Sequence, residues 1–482
     1  MFSSPFDSLP TLPGERFLGH LHSLQSDRLG FMRRLSSAGP LARIRLLHRY
    51  VLFANAPQTA HQVLVEHASS FEKSPGIRLL LHDLGGEGLF TSEGELWKRQ
   101  RRLISPLFHP SQLSTYVQSM NGEARRALGR WSDGAQVDLL HEMTRIAMGV
   151  VGSTLFGANT FNEADELGEA LTTLLGWVDE HGAGVALTLQ ISALEIMERL
   201  RGQLPAQLEA LRNRAEAKLN EPVWLGGRSS PKVQQALRTL DGRVLAMIRE
   251  RRAHPSARKD LLTRLLLVRD SEAGSAASGM SDKQVRDEAN TLFIAGHETT
   301  ATALAWCFYL LARHPEIKAR VQAEADAFGP DGPTAADPQA LAYTTRVFKE
   351  ALRLYPPVII LARRTLEPVQ IGGVELPTRT VIFVSPYTLH LSPEIWPDPE
   401  RFDPDRFLPE REAARHKSAW IPFGVGPRVC IGNYFALLEG PIVLATLMRR
   451  ARFEIDPSRR IEPETFATLR PAGGVPATVR LV

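Results

Sequence analysis

The sequence predicts a mainly α-helical protein with a minor β part. Apolar residues recur at three- and four-residue spacing over most of the chain from about residue 95 onward. Short alternating segments are confined to the first part, to residues 369–384 and to the last residues. One segment, 281–313, keeps the helical pattern long enough to span about 50 Å.

In chain order, residues 41–54 alternate, with Ile44, Leu46, Val51 and Phe53 apolar, and read as a strand pair. Residues 57–67 read as a short helix with Pro57 at its start. Helical periodicity marks 139–156, 167–178, 233–252, 281–313, 317–328, 343–354 and 432–448. Ser281 with Gln284 forms a capping box for the long helix, and His314-Pro315 ends it. Strand signals return at 369–376, with Gly372-Gly373 as the turn, and at 380–384; residues 477–482 can close a small sheet. Residues 181–224 carry Leu194, Met197, Leu200, Leu204, Leu208 and Leu211 among charges, an amphipathic helix interrupted by Pro205. The expected role is an ordinary helix packed on the core; the functional alternative is an enlarged lid over a substrate channel.

Length alone suggests about three domains, but no Ser/Gly-rich linker or composition change divides the chain. The expectation is one domain over 1–482, with a β-containing portion to about residue 90 and a helical portion from about residue 91. Apolar and charged fractions of 43% and 23% are those of an ordinary soluble globular protein. A net charge of +4 gives no case for nucleic acid. The two cysteines, Cys307 and Cys430, give no disulfide framework, so a reducing cytoplasm fits. The first residues lack an apolar run long enough for a signal peptide or transmembrane anchor.

Cys430 is the most informative residue. It lies in Phe423-Gly424-Val425-Gly426-Pro427-Arg428-Val429-Cys430-Ile431-Gly432, the pattern F-x-x-G-x-R-x-C-x-G, just before an apolar helical run. A thiolate near a helix N-terminus is stabilised by the dipole and by unpaired N–H groups, and can be the axial ligand of a haem iron. An isolated cysteine is more often a small buried hydrophobe, but the fixed Phe423, Arg428, Gly426 and Gly432 argue against that here. The pattern resembles the signature of the cytochrome P450 family, the haem-thiolate monooxygenases. Three further motifs follow in that family's order, and the resemblance covers nearly the whole chain.

The resemblance implies the family's fold, a triangular helical domain with small β-sheets, and haem b (iron protoporphyrin IX) held by the Cys430 thiolate. Ala295-Gly296-His297-Glu298-Thr299-Thr300 in the long helix resembles the family's oxygen-binding motif. Gly296, a poor helix former, would let a flat ring lie against the backbone beside Ala295. Thr299 can bond back to a carbonyl one turn earlier and loosen the helix. With Glu298 it resembles the acid–alcohol pair that manages protons. His297-Glu298 also opens a zinc-hydrolase pattern, H-E-x-x-H, but Ala301 stands where the second histidine is needed.

Glu350 and Arg353 form E-x-x-R on one helix face. The resemblance adds Arg401, from Pro399-Glu400-Arg401-Phe402, as the third member of a buried structural triad. It assigns Trp97, Arg101, Arg363 and Arg428 to the haem propionates, with Arg364 leaving the register of Arg363 open. Register places a hydrophobic substrate near Leu80, Leu84, Phe90, Leu292, Phe293, Val358, Ile359, Ile360 and Leu469; core packing explains these residues equally well.

The resemblance also implies a separate electron donor, a ferredoxin or flavodoxin with its reductase, because the chain leaves no room for a flavin domain. Lys98, Arg99, Arg102, Arg415 and Lys417 are the basic residues placed to steer it. The expected function is insertion of one oxygen atom from O₂ into a hydrophobic small molecule. A peroxide-dependent haem-thiolate enzyme (peroxygenase or isomerase) and a non-catalytic haem sensor are the alternatives, both disfavoured by the presence of Glu298 and Thr299.

Overall fold

The long helix, Asp282–Arg313, begins where the capping box places it. The Gln284 N–H donates to Ser281 Oγ at 3.2 Å, and the Ser281 N–H donates to Gln284 Oε1 at 3.0 Å. At the far end His314 leaves the helical region (φ −132°, ψ 77°), and Pro315 opens the next helix, Pro315–Asp326. The computed structural model describes residues 6–157, 164–182, 184–221, 230–254, 260–267, 279–329, 332–334 and 338–482. Within these, Asp282–Arg313 runs through the core against Leu139–Val151, Pro231–Ala253, Ala342–Leu354 and Asn433–Arg450. The main apolar cluster draws on all of these helices.

A second layer is a five-stranded sheet in the spatial order Leu41–Leu46, Arg49–Ala54, Val381–Val384, Leu361–Thr365, Phe71–Lys73. The first two strands form the expected hairpin; the second pairs in parallel with 381–384, Val51 opposite Val381. Gly372 and Gly373 turn between Val369–Ile371 and Val374–Leu376 with φ of +58° and +79°. Ala451–Glu454 and Gln136–Asp138 flank Pro476–Leu481 in a three-stranded sheet, and Pro463–Thr465 pairs with Leu469–Pro471. The strands at 71–73, 136–138, 361–365, 451–454, 463–465 and 469–471 carry no clear alternation. Pairing partners distant in sequence, rather than local pattern, decide them.

The stretch from residue 181 forms two helices, Val185–Arg199 and Ala206–Leu219, broken at Pro205 as expected. The first packs Leu187 and Leu194 against Leu79, Leu80 and Trp177. The second buries only Arg212 among its side chains and leaves Leu208 and Leu211 exposed. Core packing therefore describes the first helix and not the second, which rests on the first. Residues 222–224 of the stretch lie outside the described residues.

Gly296 has a use that the sequence did not suggest. A Cβ built on it would lie 2.7 Å from Val151 Cγ2, so the missing side chain admits the neighbouring helix Leu139–Val151. Val151 is β-branched and held to one rotamer in a helix, so it cannot swing aside. Gly296→Ala is expected to cost about 1–3 kcal/mol by overpacking, against at most about 1 kcal/mol returned by helix propensity. In chemical unfolding, adding Val151→Ala should recover part of the loss, with a coupling of at least about 0.5 kcal/mol.

Candidate active site

The cysteine loop is closed by its own backbone. The Cys430 N–H donates to the Phe423 carbonyl at 2.9 Å, Gly424 N–H to Ile421 O at 3.0 Å, and Val429 N–H to Gly426 O at 3.0 Å. Gly424 and Gly426 have φ of +70° and +79°. A Cβ on Gly426 would lie 2.0 Å from the Leu64 carbonyl oxygen, so only glycine lets this loop seat on the π-helical turn Gln62–Glu66. Gly432 is the N-cap of Asn433–Arg450, and its N–H donates to the Cys430 thiol. Burial pushes that thiol up; the Gly432 N–H and the nearby Arg101 guanidinium pull it down. Cys430 nevertheless keeps accessible surface. Surrounding protein crowds Cys430 enough to raise its thiol while leaving the side chain exposed, as in a concave site.

The middle of the long helix carries the same signature. Residues 287–293 and 300–311 are buried, but Ile294, Ala295, Gly296, Glu298 and Thr299 keep accessible surface between them. Thr299 Oγ1 donates to the Ala295 carbonyl at 2.8 Å, the back-bond expected of it. Glu298 does not turn to Thr299. Its Oε1 accepts from Thr468 Oγ1 at 2.8 Å, and burial raises its pKa, opposed by Thr468 and Arg470. His297 points into the core against the Phe293 carbonyl at 2.9 Å; burial pushes it down to about 4, so it stays neutral. Thr468 was not singled out from the sequence, where it is one hydroxyl in Phe466-Ala467-Thr468-Leu469 with no motif around it.

A cluster of cations supplies the test of a haem site. Arg428 pairs with Glu93, with Nη1 at 3.1 Å from Oε1, and its guanidinium lies 4.3 Å from the Trp97 ring centroid. Lys73 Nζ is 3.7 Å from Glu93 Oε1 and donates to the Leu89 and Phe90 carbonyls at 3.0 Å. Burial, opposed by Glu93 but aided by Arg428 and Arg363, pushes Lys73 down to about 8. Arg363 is buried beside Arg428 with no carboxylate hydrogen-bonded to it among the described residues; burial and Arg428 push it down to about 10. Three cations thus face one carboxylate, Glu93. An excess of two buried positive charges beside this concave site fits a ligand bearing two carboxylates, as haem does. Arg101, half-buried near Cys430, adds a further cation. Arg364, the neighbour that left the register open in the sequence, turns the other way on its strand, to Glu72 (2.6 Å) and Glu198 (3.2 Å). Lys73 and Glu93 were missed because no local spacing links 73, 93, 363 and 428.

Glu350 and Arg353 are fully buried and joined by two 2.7 Å hydrogen bonds. Arg401 is not the third cation. Its side chain is exposed and only its carbonyl takes part, accepting from Arg353 Nη2 at 3.1 Å. The turn after Asp398 (φ +49°) sends Arg401 outward, and the short helix Pro404–Phe407 brings Arg406 inward, with Nε 3.4 Å from Glu350.

Of the substrate positions, Leu84, Phe293 and Leu469 are packed into the core with no surface to offer. Phe293 stacks on Phe156, and the Leu469 carbonyl accepts from Trp306 Nε1. Leu80 and Leu292 are also buried, whereas Phe90, Val358, Ile359 and Ile360 keep accessible surface. Arg415 is not a free surface cation: it stacks on Trp396 at 3.9 Å and donates to the Arg406 carbonyl at 2.7 Å. Among the described residues no helix is long and apolar enough to cross a membrane.

The family model for cytochrome P450 matches residues 10–475. The chain is 34% identical to cyclooctat-9-en-7-ol 5-monooxygenase of Streptomyces melanosporofaciens, covering 92% of this chain and 89% of that one. It is 33% identical to pentalenene oxygenase of Streptomyces avermitilis, covering 95% and 94%. It also resembles the crystal structure of the cytochrome P450DA haem domain, with a TM-score of 0.79, 25% identity and 98% of each chain covered.

Glu350→Gln leaves the Arg353 charge buried without its counter-charge. The expected loss is about 3–5 kcal/mol in urea unfolding, with haem content after expression falling in parallel. Arg401→Ala should cost under about 0.5 kcal/mol, because the carbonyl it contributes is retained.

Proposed function

The chain belongs to the cytochrome P450 family, a family of haem-dependent monooxygenases, and on that premise we propose that it holds haem b through Cys430 and oxygenates a terpene-derived substrate. The observation that carries this reading is a thiol in a loop closed by its backbone, crowded by protein yet exposed, as in a concave site.

When bound, haem supplies the oxygen activation that no side chain provides. Cys430 would hold the iron through its sulfur, with the Gly432 N–H and Arg101 stabilising negative charge on it. Lys73, Arg363, Arg428 and the Trp97 indole would hold the two propionates, whose charge would offset the excess in the cluster. Arg428 is already shared with Glu93, so Arg363 carries the larger part. Ala295 and Thr299 keep accessible surface on the long helix, and burial raises the carboxyl of their neighbour Glu298. A carboxyl raised in this way holds its proton more readily than a free one and suits a proton-delivering role.

Phe90, Val358, Ile359 and Ile360 give the accessible surface an apolar character suited to a hydrocarbon skeleton. The relatives named for pentalenene and cyclooctat-9-en-7-ol act on ring systems of this kind, which favours a cyclic terpene over a fatty acid or polyketide. Lys98, Arg102 and Lys417 are exposed and suit an acidic ferredoxin or flavodoxin as separate electron donor. Two free cysteines suit the cytoplasm.

Two measurements test the reading. The purified pigment, reduced and exposed to carbon monoxide, should show the strong red shift of the Soret band typical of sulfur ligation. Cys430→Ser should lose it while staying folded; a shift retained in that variant refutes the assignment. Arg363→Ala should speed haem transfer to an apo-globin acceptor by about 10–100-fold, the equivalent of one charge-assisted hydrogen bond.

A further inference from the structure

We infer that Thr468 is a positioning residue for Glu298, fixing which carboxyl oxygen carries the proton; the inference rests on the proton-handling role proposed for Glu298 above. Thr468 Oγ1 donates to Glu298 Oε1 at 2.8 Å. Thr302, one turn after Glu298 on the same helix and fully buried, has its hydroxyl 3.5 Å from Thr468 Oγ1. With the Thr468 proton committed to Glu298, Thr302 is the donor to Thr468. The order Thr302 to Thr468 to Glu298 leaves Oε1 as an acceptor. A proton on Glu298 must then sit on Oε2, which has no hydrogen-bond partner among the described residues and belongs to the accessible strip of the helix.

The loop that carries Thr468 is rigidly held. The Phe466 N–H donates to the Thr468 carbonyl at 2.9 Å, Leu469 N–H to Pro357 O at 3.0 Å, and Trp306 Nε1 to Leu469 O at 2.9 Å. The Trp306 ring lies face to face with Tyr355, with centroids 3.8 Å apart. The hydroxyl is thus anchored to the long helix and to the segment after Ala342–Leu354 at once. Among the described residues, Arg470 is the one charged group acting on Glu298. Arg470 is itself engaged, over the Phe466 ring at 3.7 Å and paired with Glu464 at 3.1 Å. His297, on the same helix, stays neutral. Burial raises the Glu298 carboxyl and the Thr468 hydrogen bond lowers it, so removing the hydroxyl moves the titration upward.

The test uses the haem-loaded protein and infrared titration of the carboxyl C=O stretch, with Glu298 assigned as the band lost in Glu298→Gln. Thr468→Val, which keeps the shape and removes the hydroxyl, should raise the Glu298 midpoint by about 1–2 units and shift the band frequency. It should also increase, several-fold, the share of reducing equivalents released as hydrogen peroxide. Thr468→Ser should restore all three readouts. The Soret spectrum of each variant checks that the haem site has survived. An unmoved midpoint and band in Thr468→Val, while Glu298→Gln itself raises peroxide release, overturns the inference and leaves the proposed function standing. If Glu298→Gln leaves peroxide release unchanged, the role of Glu298 fails and the inference falls with it.

Discussion

The Arg353 guanidinium is the point on which the haem-side architecture hangs. Its five N–H groups are all used: two on Glu350, and one each on the carbonyls of His390, Pro399 and Arg401. A fully buried guanidinium is tolerable only when charge and every donor are satisfied together. That demand folds the irregular segment from 390 to 403 around one side chain. Burial keeps His390 neutral, pushed down to about 3, so its Nε2 accepts from the Ile421 N–H at 2.8 Å. The Ile421 carbonyl in turn accepts from Gly424 at the head of the cysteine loop. The ion pair and the thiol are thus connected by a short chain of hydrogen bonds, although they are 77 residues apart at their nearer members (353 to 430).

Against this satisfied scaffold, two places stand out as incomplete. Cys430 and the strip at 294–299 keep open surface. Beside them, Lys73, Arg363 and Arg428 share a single carboxylate. A protein interior normally closes its voids and pairs its charges. A flat apolar group with two carboxylates would suit both features, and the family to which the chain belongs uses haem, which is such a group.

Helix packing sets the dimensions of that space. Gly296 draws Val151 against the backbone of the long helix, while Ala295 and Thr299, one turn apart on a neighbouring face, keep accessible surface. One small residue serves helix–helix approach and the other leaves that surface open. The late loop closes on the same helix through Trp306, which is how Thr468 reaches Glu298 across 170 residues of sequence.

Local chemistry sufficed for the long central helix and the helices read around 139–156, 343–354 and 432–448, the first hairpin and the Gly372-Gly373 turn, because periodicity, the Ser281–Gln284 cap and the φ demands of glycine act within a few residues; the helices Leu21–Ser26, Arg28–Ser36, Pro75–Gly85 and Val117–Leu128 were not read. The cysteine loop and the E-x-x-R pair were legible for the same reason: each is held by contacts close along the chain. What lay beyond the sequence were partners and choices between near neighbours, namely Arg406 over Arg401, Val151 against Gly296, and Arg363 facing Arg428 while Arg364 faces Glu72. A one-residue change of register reverses the direction of a side chain on a strand, and a left-handed residue such as Asp398 redirects a loop. Tertiary structure alone decided these, because burial and charge pairing between segments tens to hundreds of residues apart select one direction, and no local pattern encodes that partner.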